Sequence, residues 1–257
     1  MHCIICRKES QQFFKAKILD KYEIKYYYCL ECGFINTEKP YWLDEAYKNP
    51  INKTDTGILS RNINLSRITS LIIYFNYYKK GVFLDYAGGH GTFTRLMRDI
   101  GFDFFWQDLY VKNLFANGFE FDKINKKIEL ITAFEVFEHF IDPLEELEKM
   151  LLISKNILLT TILLPEPVPE IKNWWYYGTE HGQHISFYSK KTLEFLAKKY
   201  NLNLYTNGIN LHLLTDKKIK YFKILSRMER LGLFYLIKRK IKSKTFSDMD
   251  YIIKSDK

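Results

Sequence analysis

The residues able to do chemistry fall into three groups. Cys3 and Cys6 (CIIC) and Cys29 and Cys32 (CLEC), with 22 residues between the pairs, are all the cysteines of the chain. A tetrahedral zinc ion takes four thiolates, and each CxxC turn sets two sulfurs on one side of a tight knuckle, Gly33 helping the second to turn. Four cysteines leave no open coordination position, so the predicted zinc is structural. Two disulfides are the alternative, and a reducing compartment opposes them.

The second group is LDYAGGHGTF at 84–93, where Ala87, Gly88, Gly89 and Gly91 let a ligand approach the backbone and the following helix start favours an anion. A dinucleotide GxGxxG loop fits poorly, because reading from Gly89 the sixth position is Thr94. Acid-x-small-x-Gly-x-Gly fits better, with Asp85 as the acid, and Asp108 follows 17 residues after Gly91, where a carboxylate can bind ribose hydroxyls.

The third group is EHGQHISFYS at 180–189 with FEVFEHF at 134–140. His181 and His184 can serve as a proton carrier, a metal ligand or a packed pair. A metal lacks a third ligand in this stretch other than Glu180, so acceptor binding or general-base work is expected of at least one histidine. Glu138 and His139 are expected to be structural, orienting the loop before Pro143. Trp174, Trp175, Tyr176 and Tyr177 offer flat faces for a sugar ring or base, or else core packing.

These groups need elements to hold them. GVFLDY, FDFFWQD, KIELITAF and NILLTTILL read as buried strands; TFTRLMRDIG, closed by Gly101, and DPLEELEKML, begun by Pro143, read as helices. Strand and helix in alternation predict a parallel sheet covered by helices. Leu65, Ile68, Leu71 and Ile72 space a helix before it; Ser189 N-caps a helix through Leu193 and Leu196 that ends at Asn201. Residues 41–64 read as a connector with an Asn49-Pro50 turn.

The motifs in order (DYAGGHG, QD at 107–108, ITAFEVFEHFIDP, ILLTT) resemble those of class I S-adenosylmethionine-dependent methyltransferases over roughly residues 70–215. The resemblance implies an α/β, Rossmann-like seven-stranded sheet whose last strand is antiparallel, with S-adenosyl-L-methionine as cofactor. By it Asp85, Ala87, Gly88, Gly89 and Gly91 frame the methionine end, Asp108 holds the ribose, and Ala133, Phe134 and Glu135 border the cofactor. Ala87 stands where the family usually has glycine, a mild change if its backbone angles are ordinary. The acid that often binds adenine has only Glu120 and Asp122 as candidates. HISFYS before a TL helix is similar to a segment of zinc-containing sugar methyltransferases; there His184 takes the place of a basic histidine, Gln183 of a glutamate and His181 of a tyrosine. That implies methyl transfer to a lipid- or nucleotide-linked sugar, with oxygen methylation at least as expected as carbon.

The division predicted is a four-cysteine zinc-binding module at 1–40, connector and helix at 41–70, the methyltransferase domain at 71–215 and a basic segment at 216–257. Of the net charge of +9, all lies between Asp216 and Lys244, where 11 Lys or Arg face 2 acids, leaving a neutral body of 28 bases and 28 acids. Nucleic acid is therefore not the expected partner. The segment reads as an amphipathic helix suited to a membrane surface, or as a solvated helix. No apolar run reaches the roughly 18–20 residues of a membrane span, and the N-terminus lacks a signal-peptide pattern, so the expectation is a cytoplasmic protein, peripheral to the inner membrane surface at most. The competing functions are an RNA or protein methyltransferase docking through the zinc module and basic tail, and a non-catalytic cofactor-binding protein.

Overall fold

The computed structural model describes residues 1–48, 55–123, 125–227 and 232–255. The chain begins with β1 (Gln11–Ile18), β2 (Tyr22–Tyr28), β3 (Ile35–Thr37) and a one-turn α1 (Leu43–Ala46). Then come α2 (Ile58–Asn76), β4 (Val82–Tyr86), α3 (Thr92–Ile100), β5 (Asp103–Gln107), β6 (Ile128–Phe134), α4 (Pro143–Ile153) and β7 (Asn156–Thr160). The rest is β8 (Ser186–Phe187), α5 (Lys190–Lys199), β9 (Asn203–Thr206), β10 (Leu211–Thr215), α6 (Phe222–Leu225), α7 (Leu233–Lys238) and α8 (Thr245–Ser255).

The larger sheet has six strands in the order β5-β4-β6-β7-β10-β9. β4 pairs parallel with β5 and β6, and β10 runs antiparallel to β9. Among the described residues the expected seventh strand, beyond β5, is reduced to a single parallel bridge between Trp106 and Glu120, where Gly118 turns at φ +85° and a 3-10 turn at Phe121–Lys123 follows. The smaller sheet, β1-β2-β3-β8, is antiparallel throughout.

The elements start and stop for local reasons the sequence displays. Asp142 accepts bonds from the amides of Leu144 and Glu145 ahead of Pro143, and Ser189 with Thr192 forms a capping box on α5. Gly101 closes α3 at φ +124°. On α2 the apolar residues Leu65, Ile68, Leu71 and Ile72 are buried as their spacing predicts, but the helix already starts at Ile58, inside the expected connector. The Asn49-Pro50 turn of that connector lies outside the described residues.

Two compact units divide the chain, and neither follows the linear boundaries 1–40, 41–70, 71–215 and 216–257. One comprises Met1–Lys53, Phe134–Lys155 and Leu159–Asp216; the other Thr54–Ala133, Asn156–Leu158 and Lys217–Lys257. The reason within the first is β8: Phe187 and Ser186 pair with Ile35 and Asn36, so the cysteine-bearing sheet is completed by residues far along the chain. The core of this unit joins Ile18, Ile24, Tyr26 and Trp42 to Trp174, Tyr176, Tyr177 and Phe187. Three of the four aromatics predicted as possible ring platforms are therefore core, and Trp175, 75% exposed, is the exception.

In the second unit Phe83, Leu84, Met97, Phe102, Phe104 and Ile131 are fully buried. The basic C-terminal stretch is not one amphipathic helix. Gly232 takes φ +73° and starts α7 afresh, while residues 228–231 lie outside the described residues. α7 packs on α2, with Phe234 and Ile237 buried and the Arg67 guanidinium 5.9 and 5.8 Å from the Phe234 and Tyr235 rings. On α8, Asp248 receives two bonds from Arg98 (2.7 and 2.8 Å) and one from Arg95 (2.8 Å). Among the described residues no helix is long and apolar enough to cross a membrane.

Candidate active site

The glycine loop lies wholly in the second unit. The register of β4 sets Asp85 beside Trp106 of β5 and Thr132 of β6. Its carboxylate is 2% exposed and accepts from Thr132 Oγ1 and Thr94 Oγ1, each at 3.0 Å. Burial raises its pKa to about 7; the two hydroxyl bonds pull downward, and the Asp108 charge adds to the rise. Asp108, just past β5, accepts from the Gly89 amide at 2.9 Å with one oxygen and from Tyr110 and Val111 amides with the other. It thus fixes the loop as well as offering remaining lone pairs. Trp106 Nε1 donates to Gly89 carbonyl O at 2.8 Å.

The loop's backbone is unusual where a ligand would approach. Gly89 has φ +54°, and a Cβ placed there would meet no atom within 4 Å, so open space lies against its backbone. Ala87 has φ +53°, so the condition under which its replacement of glycine would be mild is not met: a non-glycine residue in the left-handed region costs roughly 1–2 kcal/mol. Ala133 is fully buried in β6. Phe134 and Glu135 belong to the other unit, where Glu135 takes φ +53° and its amide donates to Thr160 Oγ1 at 2.8 Å. Glu120 accepts from Asn113 Nδ2 at 2.9 Å and from the Gly118 amide, while Asp122 is exposed.

The histidines lie in the first unit, and it joins them to the pair expected to be structural. The His139 and His184 rings are 5.0 Å apart and those of His181 and His184 4.7 Å, all edge to face. His184 Nδ1 is 2.6 Å from Tyr176 carbonyl O, and His139 Nδ1 is 3.1 Å from Gln183 carbonyl O and 3.0 Å from Tyr47 Oη. A carbonyl can only accept, so both Nδ1 atoms carry the proton and both Nε2 atoms hold a lone pair. His181 is the opposite tautomer: its Nδ1 accepts from the Gln183 amide at 3.1 Å.

Glu138 is wholly buried, and neither carboxylate oxygen has a hydrogen-bond partner among the described residues. Burial, with the Glu135 charge next, raises its pKa to about 8. Burial lowers His139 to about 4 and holds His184 well below its ordinary value, so both imidazoles are neutral at pH 7. Sequence reasoning did not join Glu138 and His139 to His184, because no spacing signal connects residues brought together by tertiary packing. Nor did it single out Thr94, Thr132 and Trp106, which hold the glycine loop.

The four cysteines are free thiols, with Sγ atoms 3.6 Å (Cys3 to Cys32) and 3.4 Å (Cys6 to Cys29) apart and all within 4.8 Å of one another. Zinc at about 2.3 Å from four sulfurs in a tetrahedron spaces them about 3.8 Å, so the set fits. Both knuckles turn in the same way: Arg7 after the first pair has φ +63°, Gly33 after the second φ +71°. Gly33 needs its missing side chain as well, since a Cβ there would collide with Ser189. The hydroxyls of Ser189 and Thr192 donate to Cys32 carbonyl O at 3.3 and 2.8 Å.

Strand, glycine loop and helix, with a carboxylate after the neighbouring strand, define a Rossmann-like α/β domain of the methyltransferase kind. The methyltransferase-domain family matches residues 66–207, more than half the chain, and the protein belongs to that family. No curated protein matches the sequence. Among solved structures the chain is similar to TnmH at 15% identity, over 69% of this chain and 62% of that one, with TM-score 0.48. It is likewise similar to human N-acetylserotonin methyltransferase in complex with SAM at 12% identity, covering 69% and 66%, with TM-score 0.42. A third is the plantazolicin methyltransferase BpumL in complex with SAH, at 14% identity, 68% and 90% coverage and TM-score 0.43. The match spans less than two thirds of the length of the first two.

Proposed function

We propose that the protein transfers a methyl group from S-adenosylmethionine to an oxygen of a sugar or glycan intermediate, with a structural zinc ion at Cys3, Cys6, Cys29 and Cys32. The observation that carries the reading is the glycine loop: open space against Gly89, and Asp108 bonded to the Gly89 amide, are what a ligand with a ribose and a small charged end requires. Asp85, Ala87, Gly88, Gly89 and Gly91 would hold the methionine end and Asp108 the ribose, with Ala133, Phe134 and Glu135 bordering it. The cofactor supplies an electrophilic methyl on sulfonium. The chain's own part is to bind, to align, and to draw a proton from the acceptor hydroxyl. For that last task His184 is assigned, with His181 against its ring, because its Nδ1 is committed to the Tyr176 carbonyl and its Nε2 makes no hydrogen bond among the described residues. Alignment supplies the larger share of acceleration and proton removal about 10²–10⁴. The zinc knuckles anchor the start of α5 through Cys32, close in sequence to these histidines.

Calorimetric titration with S-adenosylmethionine and S-adenosylhomocysteine tests the reading. Binding to the zinc-loaded wild type, at least tenfold weaker in Asp108→Ala, is expected. No heat with either compound would refute the proposal. With labelled cofactor and a panel of nucleotide sugars, His184→Ala is expected to keep cofactor affinity and lose most turnover.

A further inference from the structure

We propose that Glu138, His139 and His184 form a second metal site, separate from the cysteines, which takes a divalent first-row transition ion. A ligand atom from each of the three lies within 4.8 Å of the others, close enough for one ion to bind all three. Two imidazoles and one carboxylate are a donor set that suits such ions and leaves positions open for water or an acceptor oxygen.

Two further observations point to an ion and not to mere packing. Among the described residues neither oxygen of the buried Glu138 carboxyl makes a hydrogen bond of full geometry, and the pull of the Tyr176 and Thr161 hydroxyls toward it does not offset its burial; a group buried in that way is costly unless something bonds it. An ion would satisfy it. The second is the outer bonding of the histidines. Each gives its Nδ1 proton to a backbone carbonyl, Tyr176 for His184 and Gln183 for His139, which is how ligating imidazoles are oriented and held in the metal-binding tautomer. Glu180, the sole third ligand the local sequence offered, is exposed and outside the cluster.

The inference replaces the base role given to His184, since an Nε2 lone pair that holds an ion cannot also take the acceptor's proton; its test does not depend on methyl transfer. Protein whose cysteines are filled with zinc is titrated with Co²⁺ and followed by visible absorption. One equivalent of Co²⁺ is expected to bind with ligand-field bands and without the thiolate-to-cobalt charge transfer that cysteine sites show. Glu138→Gln and His184→Ala are expected to weaken that binding at least tenfold. His184→Cys is expected to bind Co²⁺ and to gain the charge-transfer band, a signal that a misfolded chain does not produce at this position. Absence of Co²⁺ binding beyond the cysteines in the wild type would overturn the site, as would binding unchanged in Glu138→Gln and His184→Ala, or a His184→Cys spectrum without the new band. Cofactor titration of the same samples reports separately on the methyltransferase reading.

Discussion

Asp85 shows what one buried carboxylate does to the pH dependence of the fold. Its pKa rises from an ordinary 3.8 to about 7 on folding, so between those values the folded chain binds more protons than the unfolded one. Stability contributed by this group is full below about pH 4 and is lost as pH rises toward 7. Asp85→Asn is expected to flatten that part of the curve of unfolding free energy against pH, measured in urea. An unchanged slope would show that Asp85 is ionised in the free protein. The placement of Asp85, the glycines and Asp108 at the ends of neighbouring strands was legible in the sequence because acid, small residues and second acid sit at short, regular distances along one strand-loop-helix unit. The left-handed angle of Ala87 was not, since nothing in an alanine announces the conformation its neighbours force upon it. The closeness of Glu138 to His184 was not legible for a similar reason: the two are far apart along the chain, and packing alone brings them together.

At the level of elements, the side-chain-capped helix starts were readable, because a cap is made between residues two or three apart, whereas α2, which has no side-chain cap, starts earlier than its apolar spacing suggested. Ser189 and Pro143 stand where the sequence put them. Among the described residues the seventh strand is reduced to one bridge, where Gly118 turns and a 3-10 turn follows. The aromatic run at 174–177 was readable as aromatic but not as buried; its side is decided by a sheet built from β1, β2 and β3 together with the distant β8. The N-cap of α5 has a double task, since Ser189 accepts from the Thr192 amide and also donates to the Cys32 carbonyl. Ser189→Ala is expected to lower stability by about 1 kcal/mol and to speed zinc loss to a chelator. Equal chelation rates in variant and wild type would separate the cap from the knuckle.

Across the whole molecule, compactness does not respect linear order. Both units are assembled from three separate stretches, so a division by composition, which can only cut the chain into consecutive pieces, does not coincide with them. The basic end is tied into the second unit by a buried ion pair, with side-chain exposure of 3% at Arg98 and 6% at Asp248. Burial raises the Asp248 pKa and the bonds from Arg98 and Arg95 more than reverse it. Asp248→Asn leaves the Arg98 charge inside without its main partner, and a loss of about 3 kcal/mol is expected in urea melts; a loss under about 1 kcal/mol would show that Asp103 suffices. The pairing of β3 with β8 has a further consequence, for the growing chain. Until residues 186 and 187 leave the ribosome, the edge of β3 has no neighbour, although all four cysteines have long been made. A nascent or truncated chain can therefore bring its two cysteine turns together and still present an open strand edge to other chains, the kind of surface on which aggregation starts.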